Sequence, residues 1–292
     1  MMPAEEREPF VRKPPWLTLR LPASPVYEQV RSLLGTSEIH TVCQEAECPN
    51  QWECFSHRTA AFLIMGPRCT RNCRFCAVEH GFMEPVDPEE PARVAEAART
   101  LELSYIVVTS VTRDDLADGG ASCFAATIRA IREKSPDACV EVLVPDFRGD
   151  AQALGTVVEA RPDVLNHNLE TVPRLYPSVR PGAVYERSLE LLGRAKKRDA
   201  SLPVKSGLML GLGETLREIR ETLRDLLDTG CTMLTLGQYL QPSPRHLPVQ
   251  RFIPPEEFGN WRRIGLEMGF SRVASGPFVR SSYHAKDLFH RT

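Results

Sequence analysis

The chain has no surplus of charge of either sign. Over 292 residues, 36 Lys and Arg stand against 38 Asp and Glu, a formal net charge of −2. Without a basic field to hold a polyanion, nucleic acid is not expected as the main partner. Long apolar runs are missing too. None approaches the roughly 18 residues of a membrane-spanning helix, so no membrane partner is expected. The first ten residues, Met1 to Phe10, are polar and acidic and lack the basic end and apolar stretch of a secretory signal. The expectation is a cytoplasmic chain whose thiols stay reduced. No G-x-G-x-x-G follows the first strand, which disfavours a dinucleotide-binding sheet. Low-complexity tracts are absent.

Cysteine is what the sequence has in excess. Nine occur, at 43, 48, 54, 69, 73, 76, 123, 139 and 231, and six of them fall between Cys43 and Cys76. An odd count in a reducing compartment argues against a disulfide framework and for metal or cluster ligation. Cys123, Cys139 and Cys231 lie far apart and read as small buried hydrophobes. The seven histidines show no regular metal spacing.

The rest of the chain alternates. Prolines crowd residues 1–26, predicting an extended arm or frayed end, and a short helix is expected over Tyr27–Leu34. Six apolar strands are expected at Ala61–Gly66, Tyr105–Thr109, Val140–Val144, Val164–Asn166, Val204–Leu210 and Thr232–Gly237. Helices follow at Glu89–Leu101, Cys123–Glu133, Ala151–Ala160, Glu186–Lys197, Leu216–Leu227 and Pro255–Met268. Continuous apolar strands separated by helices imply parallel pairing with both faces covered. The expected fold class is α/β, a partial (β/α)6 TIM-like barrel with an N-terminal cluster-binding extension and a C-terminal tail. The divisions expected are 1–58, 59–240 and 241–292.

Cys69, Cys73 and Cys76 form C-x3-C-x2-C just past the first strand, at the mouth where a barrel collects catalytic groups. Three thiolates can hold three irons of a [4Fe–4S] cluster and leave the fourth open. A zinc knuckle would want paired C-x2-C sets, and only one such pair is present. A redox pair would not need Cys69. Upstream, Cys43, Cys48 and Cys54 form C-x4-C-x5-C, which alone is weak evidence and beside the first trio suggests a second cluster.

The downstream spacing resembles the radical S-adenosylmethionine (SAM) superfamily signature. Nine stretches, in order from about residue 41 to 285, resemble the lipoyl synthase family: TVCQEAECPNQWEC, CTRNCRFCAVEHG, VTSVTRDDLADGGA, VPDFRG, VLNHNLE, KSGLMLGLGET, MLTLGQYLQPS, HLPVQRF and GPFVRSSYHA. The resemblance implies two [4Fe–4S] clusters and SAM as cofactors. It implies that the Cys69/Cys73/Cys76 cluster binds SAM and cleaves it to a radical. That radical takes hydrogen from carbons 6 and 8 of an octanoyl chain on a carrier-protein lysine. The Cys43/Cys48/Cys54 cluster then gives up both sulfurs. The family pattern in Arg280-Ser281-Ser282-Tyr283 implies a fourth ligand to this donor cluster, Ser282 rather than Ser281. A hydroxyl is a poorly matched ligand for iron in a sulfide cluster, which suits one that must be released.

The partners implied are octanoylated lipoyl carrier domains, namely the E2 subunits of 2-oxoacid dehydrogenases and the glycine cleavage H protein. A reductant such as flavodoxin or ferredoxin and an iron–sulfur cluster carrier are also implied. For SAM the candidates are Asn168 and Glu170 at the ribose, Arg180 at the carboxylate, and Gly211 and Gly213 in the turn after the fifth strand. Each has a bland alternative as a turn or capping residue. Rival readings are a methylthiotransferase or biotin-synthase-like enzyme, or a non-catalytic zinc- or cluster-binding protein.

Overall fold

The computed structural model describes residues 13–18, 24–57 and 59–290. Most of the proline-rich arm and the polar start lie outside them. Ten strands occur among the described residues. β1 (His40–Thr41), β2 (Ala61–Ile64), β5 (Tyr105–Ser110), β6 (Cys139–Leu143), β7 (Val164–Asn166), β8 (Val204–Leu210), β9 (Met233–Gln238) and β10 (Arg272–Gly276) form one sheet in that order. β3 (Arg68–Cys69) and β4 (Glu79–His80) form a small second sheet. From β2 to β10 every pair in the main sheet is parallel, and β1 joins β2 antiparallel. The sheet is open, a partial barrel.

All six expected strands are present. Two edge strands were not expected. β10 has one buried residue, Val273, and no apolar run, yet it pairs with β9 along its whole length. β1 is two residues long.

The period of two along each strand divides the side chains. Ile106 and Val108, Val140 and Val142, and Leu234 and Leu236 are all fully buried on one face. The alternate residues, such as Val107, Thr109, Leu143 and Thr235, line an interior cavity. Helices Glu90–Thr100, Ala121–Lys134, Ala151–Glu159, Tyr185–Arg198, Leu216–Asp228 and Pro255–Met268 cover the outer face. Phe124, Ile128 and Ile131 of the second are completely buried, each stabilising the fold by roughly 1.5–3 kcal/mol.

Caps set the helix ends. Asp150 accepts from the N–H groups of Gln152 and Ala153, and Thr215 with Glu218 forms a reciprocal capping box. The first helix runs Pro25–Thr36 on an Ser24 cap, longer at both ends than expected. The cysteine insert is not a plain loop. It holds two short helices, Val42–Glu45 and Gln51–Ser56. They are anchored by Phe55, which is fully buried, and by Trp52 stacked on Tyr27 at 4.0 Å.

Candidate active site

The downstream trio sits on a loop pinned from several sides. Cys69 ends β3, and its sulfur accepts from the backbone N–H of Arg71 at 3.4 Å and of Thr112 at 3.3 Å. Arg71 is the loop's main tether. It donates to both oxygens of Asp114, at 2.7 and 2.9 Å, and to Asp146 at 2.6 Å, so the loop is tied to the chain beyond β5 and β6. Burial alone would raise the Asp146 carboxyl. The Arg71 bond and charge more than offset this and hold it at about 2. Farther along, Arg74 N–H donates to the Val179 carbonyl, and His246 meets the Cys76 carbonyl at 3.0 Å.

The upstream trio is carried by the two short helices. Cys43 and Cys54 lie on them and Cys48 in the turn between, where its N–H donates to the Cys43 carbonyl. The C-terminal segment closes over this insert. Asn50 donates to the Phe278 carbonyl at 2.6 Å, and Tyr283 donates its hydroxyl to Glu53 at 3.0 Å.

Cysteines of both trios face one cavity of about 480 Å³. Cys43, Cys48, Cys69, Cys73, Cys76, Asn168, Glu170, Arg180 and Ser282 line it. Of the expected site residues, Cys54 is not in this lining but is close enough to Cys43 and Cys48 for their charges to oppose its ionisation. Gly211 and Gly213 are not in the lining. They border a separate recess of about 160 Å³. There the Glu214 carboxylate takes the Gly211 and Leu212 N–H groups at 2.6 and 2.9 Å. A β-carbon on Gly211 would stand 2.3 Å from the Arg251 carbonyl oxygen, so close packing explains that glycine.

Asn168 donates to Glu170 and to the Ser281 hydroxyl, both at 2.9 Å. Arg180 donates to the Asn168 and Leu169 carbonyls at 2.9 and 3.0 Å. Burial pushes the Glu170 carboxyl up. Buried His167, a residue for which sequence reading found no role, touches the Val144 carbonyl and Ser188 at 2.8 and 2.9 Å. Burial lowers it to about 4, so it stays neutral, with Nδ1 donating to the carbonyl. Arg71, Lys205 and Glu141 were missed as well. A single buried charge leaves no periodic signal.

The donor set suits iron–sulfur clusters. Among the described residues no three His, Cys, Asp or Glu side chains converge as tightly as a lone ion requires. Yet in each trio the thiols lie near enough to oppose one another's ionisation. Burial pushes Cys43 and Cys76 up to about 12, and Cys48, Cys54 and Cys73 upward. Thiolates here need a metal's positive charge to form. Asn168, Arg180 and Ser110 line the cavity, and their Oδ1, Nε and hydroxyl are buried without protein partners. They offer polar contacts to a ligand.

Residues 63–226 match the model of the Radical SAM superfamily. Lipoyl synthase of Desulfotalea psychrophila is 57% identical over 281 residues, 96% of this chain and 94% of that one. Lipoyl synthase of Caldanaerobacter subterraneus subsp. tengcongensis is 58% identical over 275 residues, 94% and 96% of the two chains.

The chain belongs to the lipoyl synthase family.

As a member of that family it is a radical SAM enzyme that transfers sulfur in lipoyl synthesis, using [4Fe–4S] clusters and SAM, on proteins that carry octanoyl groups. Among solved structures it is similar to HydG, a maturase of the [FeFe]-hydrogenase, with a TM-score of 0.58 and 13% identity over 85% of this chain and 63% of that one. It is also similar to Streptococcus suis SuiB bound to SAM, with a TM-score of 0.56 and 10% identity over 75% and 51%. At such identities these likenesses speak to the fold alone. The lipoyl synthase family assignment sets aside the methylthiotransferase, biotin-synthase-like and zinc-protein readings. Among the described residues no helix is long and apolar enough to cross a membrane.

Proposed function

We propose that the two trios divide the labour of sulfur insertion at carbons 6 and 8 of an octanoyl-lysine. Cys69, Cys73 and Cys76 hold the cluster that engages SAM, and Cys43, Cys48, Cys54 and Ser282 hold the cluster that donates sulfur. The observation that carries this reading is the single cavity lined by cysteines of both trios and by Ser282. When bound, the first cluster with SAM supplies one-electron hydrogen abstraction, and the second supplies sulfur.

The protein's part is to bind, orient and enclose. Asn168, Glu170 and Arg180 present polar groups for SAM, with Asn168 Oδ1 and Arg180 Nε unspent. The apolar walls, among them Leu63, Val107 and Met209, accommodate an octanoyl chain and exclude water that would quench reactive carbon. Ser282 is favoured over Ser281 as the fourth ligand. The Ser281 hydroxyl is taken by Asn168, whereas among the described residues none bonds the Ser282 hydroxyl. Gly211 and Gly213 shape the turn beyond β8. The donor-cluster extension falls within 1–58, the catalytic barrel takes 59–240 together with β10, and the remainder of 241–292 supplies the closing region. The carrier domains are those of 2-oxoacid dehydrogenase E2 subunits and the glycine cleavage H protein. A flavodoxin or ferredoxin supplies electrons, a cluster carrier rebuilds the donor, and the enzyme works in the cytoplasm.

Two variants test the division of roles. With an octanoyl-lysine peptide, SAM and reductant under anaerobic conditions, Cys43→Ala is expected to cleave SAM yet add no sulfur by mass spectrometry. Cys69→Ala is expected to cleave none. Normal lipoyl product from Cys43→Ala would overturn the donor assignment.

A further inference from the structure

Beneath the cavity lies a charged layer that the reaction described so far does not use. Lys205 of β8 and Glu141 of β6 have fully buried side chains. The Lys205 ammonium donates to both Glu141 oxygens, at 2.8 and 3.1 Å, and to the Ser281 carbonyl at 2.6 Å. Its three hydrogens thus meet three acceptors. Glu141 also accepts from the Tyr105 hydroxyl at 2.5 Å and from Asn166 at 3.0 Å. A buried pair whose only task was to fill the core would not need a backbone carbonyl from the far end of the chain. Burying charge costs more than apolar packing and is best justified by fixing one arrangement.

The space above this layer is cleared for the same segment. A β-carbon on Gly237 would stand 2.0 Å from the Val279 carbonyl oxygen, and one on Gly207 would stand 2.4 Å from Thr235 Oγ1 and 3.0 Å from Asn168 Oδ1. Asn168 holds the Ser281 hydroxyl from the side. Ser281 is therefore gripped at its carbonyl from below and at its hydroxyl laterally, and the adjoining Ser282 lines the cavity with Cys43 and Cys48.

We propose that Lys205, held by Glu141, is a positioning residue that fixes the Ser281 carbonyl and so presents the Ser282 hydroxyl to the donor cluster. The inference rests on the reading of Ser282 as that cluster's ligand. It differs from a stabilising role because it governs which iron lacks a protein ligand.

The test is cyanide uptake by iron in the reconstituted holoenzyme without SAM, followed by Mössbauer spectroscopy, with iron and acid-labile sulfide measured in parallel. In the parent enzyme the open iron of the SAM-binding cluster takes cyanide. Ser282→Ala is expected to double the uptake per chain. Lys205→Met alone strands the Glu141 charge, so the informative variant pairs it with Glu141→Gln, which keeps a partner for Tyr105 and Asn166. The paired variant is expected to double cyanide uptake at parental iron and sulfide content. Gly237→Ala, which crowds the same segment at the Val279 carbonyl, is expected to do the same. Parental uptake in the paired variant, with doubled uptake in Ser282→Ala, overturns the positioning role. Parental uptake in Ser282→Ala sinks the ligand reading instead, and this inference with it.

Discussion

At the scale of single residues, Arg71 shows how one side chain can set the shape of the loop that carries the downstream trio. Its planar fork spans two oxygens of Asp114 and reaches Asp146, and only 7% of it is exposed. Lysine carries the charge but not the fork. Arg71→Met leaves the Asp146 carboxylate buried with only the more distant Arg187, at 3.4 Å, for a counter-charge. The expected cost is about 3 kcal/mol in unfolding free energy, measured by urea denaturation. SAM cleavage is expected to fall at least as far in Arg71→Lys as the fork's loss dictates, while the upstream cluster keeps its iron. The two cysteine trios were legible in the sequence because their spacing is a local pattern. Arg71, Lys205 and Glu141 were not, because their partners lie 25 to 76 positions away and nothing local marks them.

At the scale of elements, the six central strands were legible as apolar runs and the helices as apolar periodicity closed by caps. β10 was not. Its sequence, Arg272–Gly276, is short and buries only Val273, and pairing with β9 along its whole length determines it. The two short helices of the cysteine insert were also hidden. Four and six residues cannot sustain a helix alone, and the Tyr27–Trp52 stack and buried Phe55 hold them in place. Where sequence and local structure agree, the capping box at Thr215 and Glu218 gives a quantitative test. The Arg174 fork, with the Thr215 N–H and hydroxyl, lowers the Glu218 carboxyl from its ordinary 4.5 to about 2. A lowered acid stabilises the fold above its unfolded value, and that stabilisation disappears as pH falls through the folded one. Glu218→Gln is expected to cost about 1 kcal/mol near neutral pH, a figure kept small by the exposure of Arg174. Urea unfolding of the cluster-free chain from pH 7 downward is expected to show the gap shrinking between 4.5 and about 2.

At the scale of the whole molecule, the open barrel needs both chain ends to become an enclosed reaction chamber. The insert and the C-terminal segment are stitched together by Asn50 to Phe278 and by Glu53 to Tyr283, contacts 228 and 230 positions apart. That closure brings cysteines of two trios, spread along the sequence, against one cavity, where a single substrate can meet both. The most direct measurement uses the chain reconstituted with isotopically heavy sulfide, freed of excess sulfide, and supplied with SAM, reductant and an octanoyl-lysine peptide. Mass spectrometry is expected to find heavy sulfur at both positions of the product, with no more than one lipoyl group per chain. Product bearing ordinary sulfur, or many turnovers without fresh sulfide, would contradict the account.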